Sequence, residues 1–475
     1  MKTFSAHRSG HTMDMTTGPI FSNIIRFTIP LILTGTLQLL YNAADIIVVG
    51  RFGSDTSLAA VSSTGAMINL IVNIFMGLSI GTSVLVSQSF GAGKMKDVSE
   101  AVHTSIAIAA LSGVAVGIFG FFASRGMLEL MDSPPDVIDL SALYVKIFFI
   151  GTPFNMLYNF GAAILRAVGD TKRPLYFLTF SGIVNVILNL IFVIAFRLDV
   201  AGVALATIIS QAVSAALVLN CLIHSDGPVK FRIKKVKIHW DKLKRIVGVG
   251  LPAGIQGSVF SISNVIIQSS INAFGSAVMG GNGAAANIEG FIYIAMNSVY
   301  QAAITFTGQN YGAKQFKRIK TVAFECMGIV IGVGLGLGLL ANAFAPQLLS
   351  IYTDNADEIA FGVVRMSVIC LTYFTCGMMD VLVGLLRGIG RSLIPTIDSI
   401  LCVCGFRIVW IFTYFAQFKA SGASAEDCLT TLYMSYPISW VMAALVHTTC
   451  FVIFFAIAKK NAKREEETPP MEITA

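Results

Sequence analysis

The sequence predicts an all-α membrane protein: twelve transmembrane helices in two parallel six-helix repeats, or lobes, around a central cavity. Three observations predict it. Apolar segments recur from residue 21 to residue 458, each able to supply the ~20 residues that a bilayer span requires. The loops between them alternate in charge. The second half of the chain repeats the first at a nearly constant offset.

Of 475 residues, 55% are hydrophobic and 12% charged, about half the charge of a soluble domain. No sizeable water-soluble domain fits between the apolar segments. The first six helices are expected near 21–50, 55–90, 97–124, 136–165, 174–196 and 201–223. The second six are expected near 243–274, 281–311, 319–347, 358–386, 393–417 and 430–458. The first segment contains Pro30 and no small-residue cleavage site follows it, so it reads as a span and not as a signal peptide.

Basic residues collect in 94–97, 166–173, 230–245, 313–320, 387–391 and 459–464. The loops between these are acidic, with Asp132, Asp136 and Asp139, then Asp354, Asp357 and Glu358, then Glu426 and Asp427. Basic residues in alternate loops are the positive-inside pattern. It predicts a multi-pass protein of the plasma (inner) membrane with both termini cytoplasmic. The net charge of +7 is therefore a topology signal, and no nucleic-acid partner is expected. The loop KFRIKKVKIHWDKLKR (230–245) is expected to lie on anionic lipid. The division is a lobe at 1–223, a basic cytoplasmic linker at 224–242, a lobe at 243–458 and a cytoplasmic tail at 459–475.

The repeat is visible residue by residue. VSQSFGAGKMKDVSEAV (86–102) aligns with TGQNYGAKQFKRIKTVA (307–323), pairing Gln88 with Gln309. LRAVGDTKRP (165–174) aligns with LRGIGRSLIP (386–395), pairing Arg166 with Arg387. Both pairs are 221 apart. Pro30 pairs with Pro252 and RFGS (51–54) with AFGS (273–276), one residue further apart. Six spans per copy make the two copies parallel, an arrangement found in secondary transporters whose substrate path lies between the halves.

The eight cysteines have no metal-ligand spacing and read as small packing residues. Cys428 alone is expected in an outer loop. GLSIG (77–81) matches a hydrolase nucleophile motif, but it lies inside a span, where small residues serve helix packing. GIVIGVGLG (328–336) reads the same way. No enzyme activity and no cofactor is expected.

The segments IPLILTGTLQLLYNAADIIVVGRFG (29–53), GLSIGTSVLVSQSFGAGK (77–94), LRAVGDTKRP (165–174) and FTGQNYGAK (306–314) together resemble the multidrug and toxic compound extrusion (MATE) family. The resemblance covers nearly the whole chain. It implies two six-helix lobes forming a V-shaped cavity, and export of organic, often cationic compounds in exchange for H⁺ or Na⁺. The seventh helix carries no acid in LPAGIQGSVFSISNVIIQSSINAF (251–274), which places the chain nearer the DinF-like than the NorM-like branch.

Asp45 stands in an apolar run, where a carboxylate costs on the order of 3 kcal/mol. The alternatives are an acid at the helix end in headgroup water and a buried ion-binding acid. Tyr41 lies one turn earlier on the same face. Asn185 and Asn189 share one face of the fifth helix, and Thr207 lies in the sixth. In the DinF-like branch matching positions cluster around this aspartate, though relatives often carry a carboxylate where this chain has Asn189. Asp45 is thus the expected H⁺ or Na⁺ site, and no other metal site is expected. Pro30 permits a kink, which serves either passive packing or a hinge, and the family resemblance implies the hinge. Asn159, Gln256, Glu289 and Asp380 are candidates for the substrate cavity; Asp380 is the repeat counterpart of Asn159, and its alternative is a local structural pair. Glu289 is expected at the start of its helix, favoured there by the macrodipole. Lys146 and Arg365 are expected to snorkel. Any partner of Asp398 must come from another helix.

The functional expectation is a monomeric, ion-coupled antiporter that exports small organic molecules across the bilayer. The alternatives are a lipid-linked sugar flippase, which would want more intramembrane arginines than Arg365 and Arg407, an intramembrane hydrolase and a channel.

Overall fold

A computed structural model describes residues 12–53, 56–131 and 134–467, and among these residues there is no strand. The amino-terminal half forms α1 (Ile20–Phe52), α2 (Ser57–Gly91), α3 (Met95–Leu130), α4 (Ile138–Ala167), α5 (Lys172–Asn189) and α6 (Asp199–His224). A π-helical segment, Leu190–Ala195, extends α5. The carboxy-terminal half forms α7 (Trp240–Asn272), α8 (Ser276–Gly312), α9 (Phe316–Ala343), the short α10 (Ala345–Leu349) and α11 (Ala356–Gly388). One composite rod follows: α12 (Leu393–Ser399), a π segment Ile400–Gly405, α13 (Phe406–Trp410), a π segment Ile411–Phe415 and α14 (Ala416–Ala420). The last helix is α15 (Ala425–Glu467).

These make twelve long helical rods among the described residues, and eleven are apolar enough to cross a bilayer. The twelfth, α8, is 37 residues long. Its Asn282, Glu289, Asn297 and glycines lower its hydropathy, and Asn282 and Glu289 are buried. Because α15 begins at Ala425, Cys428 lies inside a helix and is buried, not in an outer loop.

The chain packs as two compact units. The first holds Ile25–Phe90 and Lys94–Ile262, and the second holds Met15–Ile24, Gly91–Gly93 and the chain from Ser263 onward. The boundary between the packed units therefore falls inside α7. In each unit the repeated glutamine accepts a hydrogen bond from a segment near the boundary. In the first unit Arg245 Nη2, on the first turns of α7, donates to Gln88 Oε1 at 2.9 Å. In the second unit the backbone N–H of Met15, ahead of α1, donates to Gln309 Oε1 at 3.2 Å.

Glycine permits the close packing of α7's first half. A Cβ on Gly77 would lie 2.2 Å from Gly254 N, and one on Gly81 would lie 2.2 Å from the Ile246 carbonyl oxygen. The GLSIG stretch is thus a helix-packing surface. In the other glycine run, Gly334 meets Phe374 and Gly338 meets Cys370 of α11.

The linker does not simply rest on lipid. Phe231 is buried in the first unit's core and stacks near His103, 5.4 Å between ring centroids. The Arg232 N–H donates to His103 Nε2 at 3.1 Å, and the His239 N–H to Thr104 Oγ1 at 3.1 Å. Lys242 pairs with Asp97 at 2.8 Å. Arg232 to Lys237 stay exposed, as do Trp240, Asp241, Lys244 and Arg245.

Candidate functional site

In the first unit α1, α5 and α6 bring the expected polar residues to one place. Asn189 Nδ2 donates to Asp45 Oδ1 at 2.5 Å, and also to Asn185 Oδ1 at 3.2 Å. Thr207 Oγ1 donates to Asp45 Oδ2 at 3.5 Å. Asn185 and Asn189 are both buried, four residues apart on α5, so one helical face presents both amides. Asp45 itself is half-buried. It lies seven residues before the end of α1 and is held by two neighbouring helices, not left at a fraying end.

Tyr41 takes a different role from the one expected. Its hydroxyl donates to the Thr179 carbonyl at 3.3 Å, not to Asp45. Its ring fills the space that Gly182 leaves, where a Cβ would lie 1.8 Å from Tyr41 Cζ. Tyr41 thus locks α1 against α5 one turn before the acid. The buried Tyr144 of α4 also lies within electrostatic reach of Asp45. Sequence reading missed it, because one tyrosine in an aromatic-rich span carries no periodic signal.

One buried acceptor at this site has no partner among the described residues, Asn189 Oδ1. Three oxygen-bearing side chains therefore converge: the Asp45 carboxylate, the Asn189 amide and the Thr207 hydroxyl. No cluster of three or more His, Cys, Asp or Glu suited to a metal ion occurs among the described residues. Pro30 is buried within an unbroken α1, and its carbonyl accepts from Thr34 Oγ1 at 2.7 Å. Proline removes one helix hydrogen bond, and back-bonding by Thr weakens the same turn.

The second unit corrects two expectations. Glu289 lies well inside α8 and is buried, so it is neither interfacial nor open to a substrate. Arg365 is buried rather than snorkelling. It makes a bidentate pair with Glu289, Nε to Oε1 at 2.8 Å and Nη2 to Oε2 at 2.7 Å. Arg365 Nη1 also donates to Asn282 Oδ1 at 2.7 Å, and Tyr433 donates to the same atom at 3.2 Å. The pair is a satisfied network bridging α8, α11 and α15.

Asp398 finds its partner on another helix, His447 of α15, at 2.7 Å. Asp380 is half-buried on α11 and makes no ion pair among the described residues. Arg387 and Tyr293 lie within its electrostatic reach. Its repeat counterpart Asn159 donates to the Asn155 carbonyl at 2.8 Å. Gln256 is buried in the part of α7 that belongs to the first unit. Asn159 and Gln256 thus belong to the first unit, and Glu289 and Asp380 to the second.

Two helical repeats of membrane length, with a hydrogen-bonded acid inside one of them, are the architecture of a multi-pass membrane transporter. The chain belongs to the MatE family. The family's model matches it twice, at residues 30–191 and 252–413, once in each half. The chain is similar to the probable multidrug resistance protein YpnP of Bacillus subtilis, 29% identical over 80% of this chain and 85% of the relative. It is also similar to the probable multidrug resistance protein YoeA of the same organism, 25% identical over 90% and 92%. Its fold matches an outward-facing multidrug resistance MATE transporter of the MOP superfamily with a TM-score of 0.84 at 23% identity. That match covers 94% of this chain and 98% of the other.

Proposed function

We propose that this chain is a cation-coupled antiporter of the plasma membrane, working as a monomer with both termini cytoplasmic, that exports organic and chiefly cationic compounds. The observation that carries the reading is Asp45, an intramembrane carboxylate hydrogen-bonded by Asn189 and Thr207 from two other helices. An ionisable residue at membrane depth is functional by default. The relatives YpnP and YoeA, both named probable multidrug resistance proteins, support the drug substrate.

In this reading H⁺ or Na⁺ entering from outside neutralises Asp45. Protonation turns one carboxylate oxygen into a donor, and Asn189 Oδ1 is the acceptor that has no partner. Na⁺ would instead take the oxygens of Asp45, Asn189 and Thr207. Either event changes how α1 sits on α5 and α6, and Pro30 is the point at which α1 bends. The drug leaves because it binds the neutralised state less tightly, which is the differential affinity that coupling requires. Asp380 attracts cationic substrates without driving transport.

The test is dye efflux from proteoliposomes under separately imposed Na⁺ and H⁺ gradients. Stimulation by one of them is expected, and stimulation by neither overturns the antiporter. The flippase alternative loses weight because Glu289 already neutralises Arg365.

A further inference from the structure

The second unit holds a buried guanidinium with no counter-ion. Arg407 of α13 is 5% exposed. Its Nε donates to Ser439 Oγ at 3.0 Å, while Nη2 is buried and meets no acceptor among the described residues. No carboxylate pairs with it there. Its neighbour Arg365, by contrast, is neutralised by Glu289.

Aromatic rings surround Arg407. The guanidinium carbon lies 4.1 Å from the Tyr436 ring centre and 5.6 Å from that of Trp440. Tyr373 lies against Trp440 at 5.5 Å, and Tyr293 against Tyr373 at 6.4 Å. Ring faces ease the burial of a cation but do not replace an anion. Tyr293 is 39% exposed, and Tyr373, Tyr436 and Asp380 are half-buried, so one side of the cluster is open.

A change in helix geometry sets Arg407 in this place. The repeat offset is 222 where Pro30 pairs with Pro252, and 221 from the pairing of Gln88 with Gln309 to that of Pro174 with Pro395. The π segment Ile400–Gly405 lies just before Arg407, whereas the corresponding stretch of α5 is α-helical. A π turn is a one-residue bulge and occurs often at functional sites. By the repeat, Arg407 falls at the level of Asn185 and Val186, while Ile266 and Ile267 stand where the first copy has Asp45. The two copies thus carry opposite charges at related places.

We propose that Arg407 anchors an oxyanion, a carboxylate or phosphate, carried by an aromatic organic solute whose ring system packs on Tyr373 and Tyr436. Cys376 lies within electrostatic reach of both Arg407 and Asp380. A zwitterion would satisfy the two charges together, its cation toward Asp380. The inference rests on the reading of the chain as an exporter of organic solutes, and it makes no use of the coupling ion.

The test compares rhodamine B, which carries a carboxylate beside its cationic ring system, with its ethyl ester, the same cation without the carboxylate. Binding is measured on purified full-length protein in nanodiscs with no gradient, so the result is independent of whether export is coupled. Wild type should prefer the acid by about tenfold, the scale of one charge-assisted hydrogen bond. Arg407→Gln should remove the preference and leave ester binding unchanged. Arg407→Lys keeps the charge without the planar fork and should show a reduced preference. Equal binding of acid and ester by wild type overturns the proposal, as does equal weakening of both by either variant. Nanodiscs of phosphatidylcholine and of phosphatidylglycerol separate solute from lipid. A preference that persists in both supports the solute, whereas one that vanishes in phosphatidylglycerol assigns Arg407 to lipid headgroups and overturns it.

Discussion

Asn189 donates to Asp45 at 2.5 Å while its own Oδ1, buried beside the carboxylate, accepts from nothing among the described residues. The amide is thus half-used. It holds the ionised acid and keeps an acceptor ready for the neutral one. That asymmetry makes Asp45→Asn an informative variant. The new amide can donate to Asn189 Oδ1 and accept from Thr207, so the fold should survive. It cannot ionise, so gradient-driven dye export should fall on the order of tenfold or more, the scale of a coupling free energy. Wild-type export by a properly inserted Asp45→Asn protein would remove Asp45 from the mechanism.

Asn189→Asp tests the ion. It places a second carboxylate within hydrogen-bond distance of the first, so the two cannot both remain charged without a cation between them. Na⁺ stimulation of efflux should rise relative to H⁺ stimulation. An unchanged Na⁺ to H⁺ ratio would show that the ion is chosen elsewhere.

Glu289 and Arg365 form a buried, bidentate pair with Asn282 and Tyr433 completing it. Removing one partner leaves the other charge buried and alone, at about 3–5 kcal/mol. Glu289→Ala should therefore lower the thermal unfolding temperature far more than Glu289→Ala combined with Arg365→Met, which removes both charges. If the double variant is the less stable of the two, the pair is not acting through charge compensation.

How much of this was legible in the sequence follows from the range of each interaction. Periodicity and alternating loop charge are local, and they located the long rods and the repeat. Asp45, Asn189 and Thr207 were legible because a polar residue in an apolar run must find partners. The Glu289–Arg365 pair was not, because it joins residues 76 apart and each, taken singly, reads as a helix-end residue. The packing boundary inside α7 was equally hidden. It depends on Gly77 and Gly81 meeting Gly254 and Ile246, and a glycine does not announce which helix it will touch. The π segments left no signal in the pattern of apolar residues.

Gly77 and Gly328 separate close packing from mere composition. A Cβ on Gly77 would press on backbone atoms of Gly250 and Gly254, while one on Gly328 meets nothing within 4 Å. Gly77→Ala should destabilise the protein by about 1–3 kcal/mol, as overpacking does. Gly328→Ala should be neutral or slightly stabilising, since alanine is the better helix former. Thermal melts of the two purified variants check this, and equal effects would count against α2 and α7 packing through glycine.

Topology closes the set of expectations. With both termini in the cytoplasm, the turns before α11 and before α15 lie outside and the linker lies inside. Single cysteines at Asn355 and Ser421, both exposed, should react with a membrane-impermeant maleimide added to intact cells that express a cysteine-free background. One at Lys235, exposed on the linker, should react only after the membrane is opened. Exposure is matched among the three sites, so a difference in rate reports the side of the membrane and not burial. Labelling of Lys235 in intact cells as fast as Asn355 would invert the orientation. Asp45 would then load from the cytoplasm, and the gradient that drives efflux could not be the inward one.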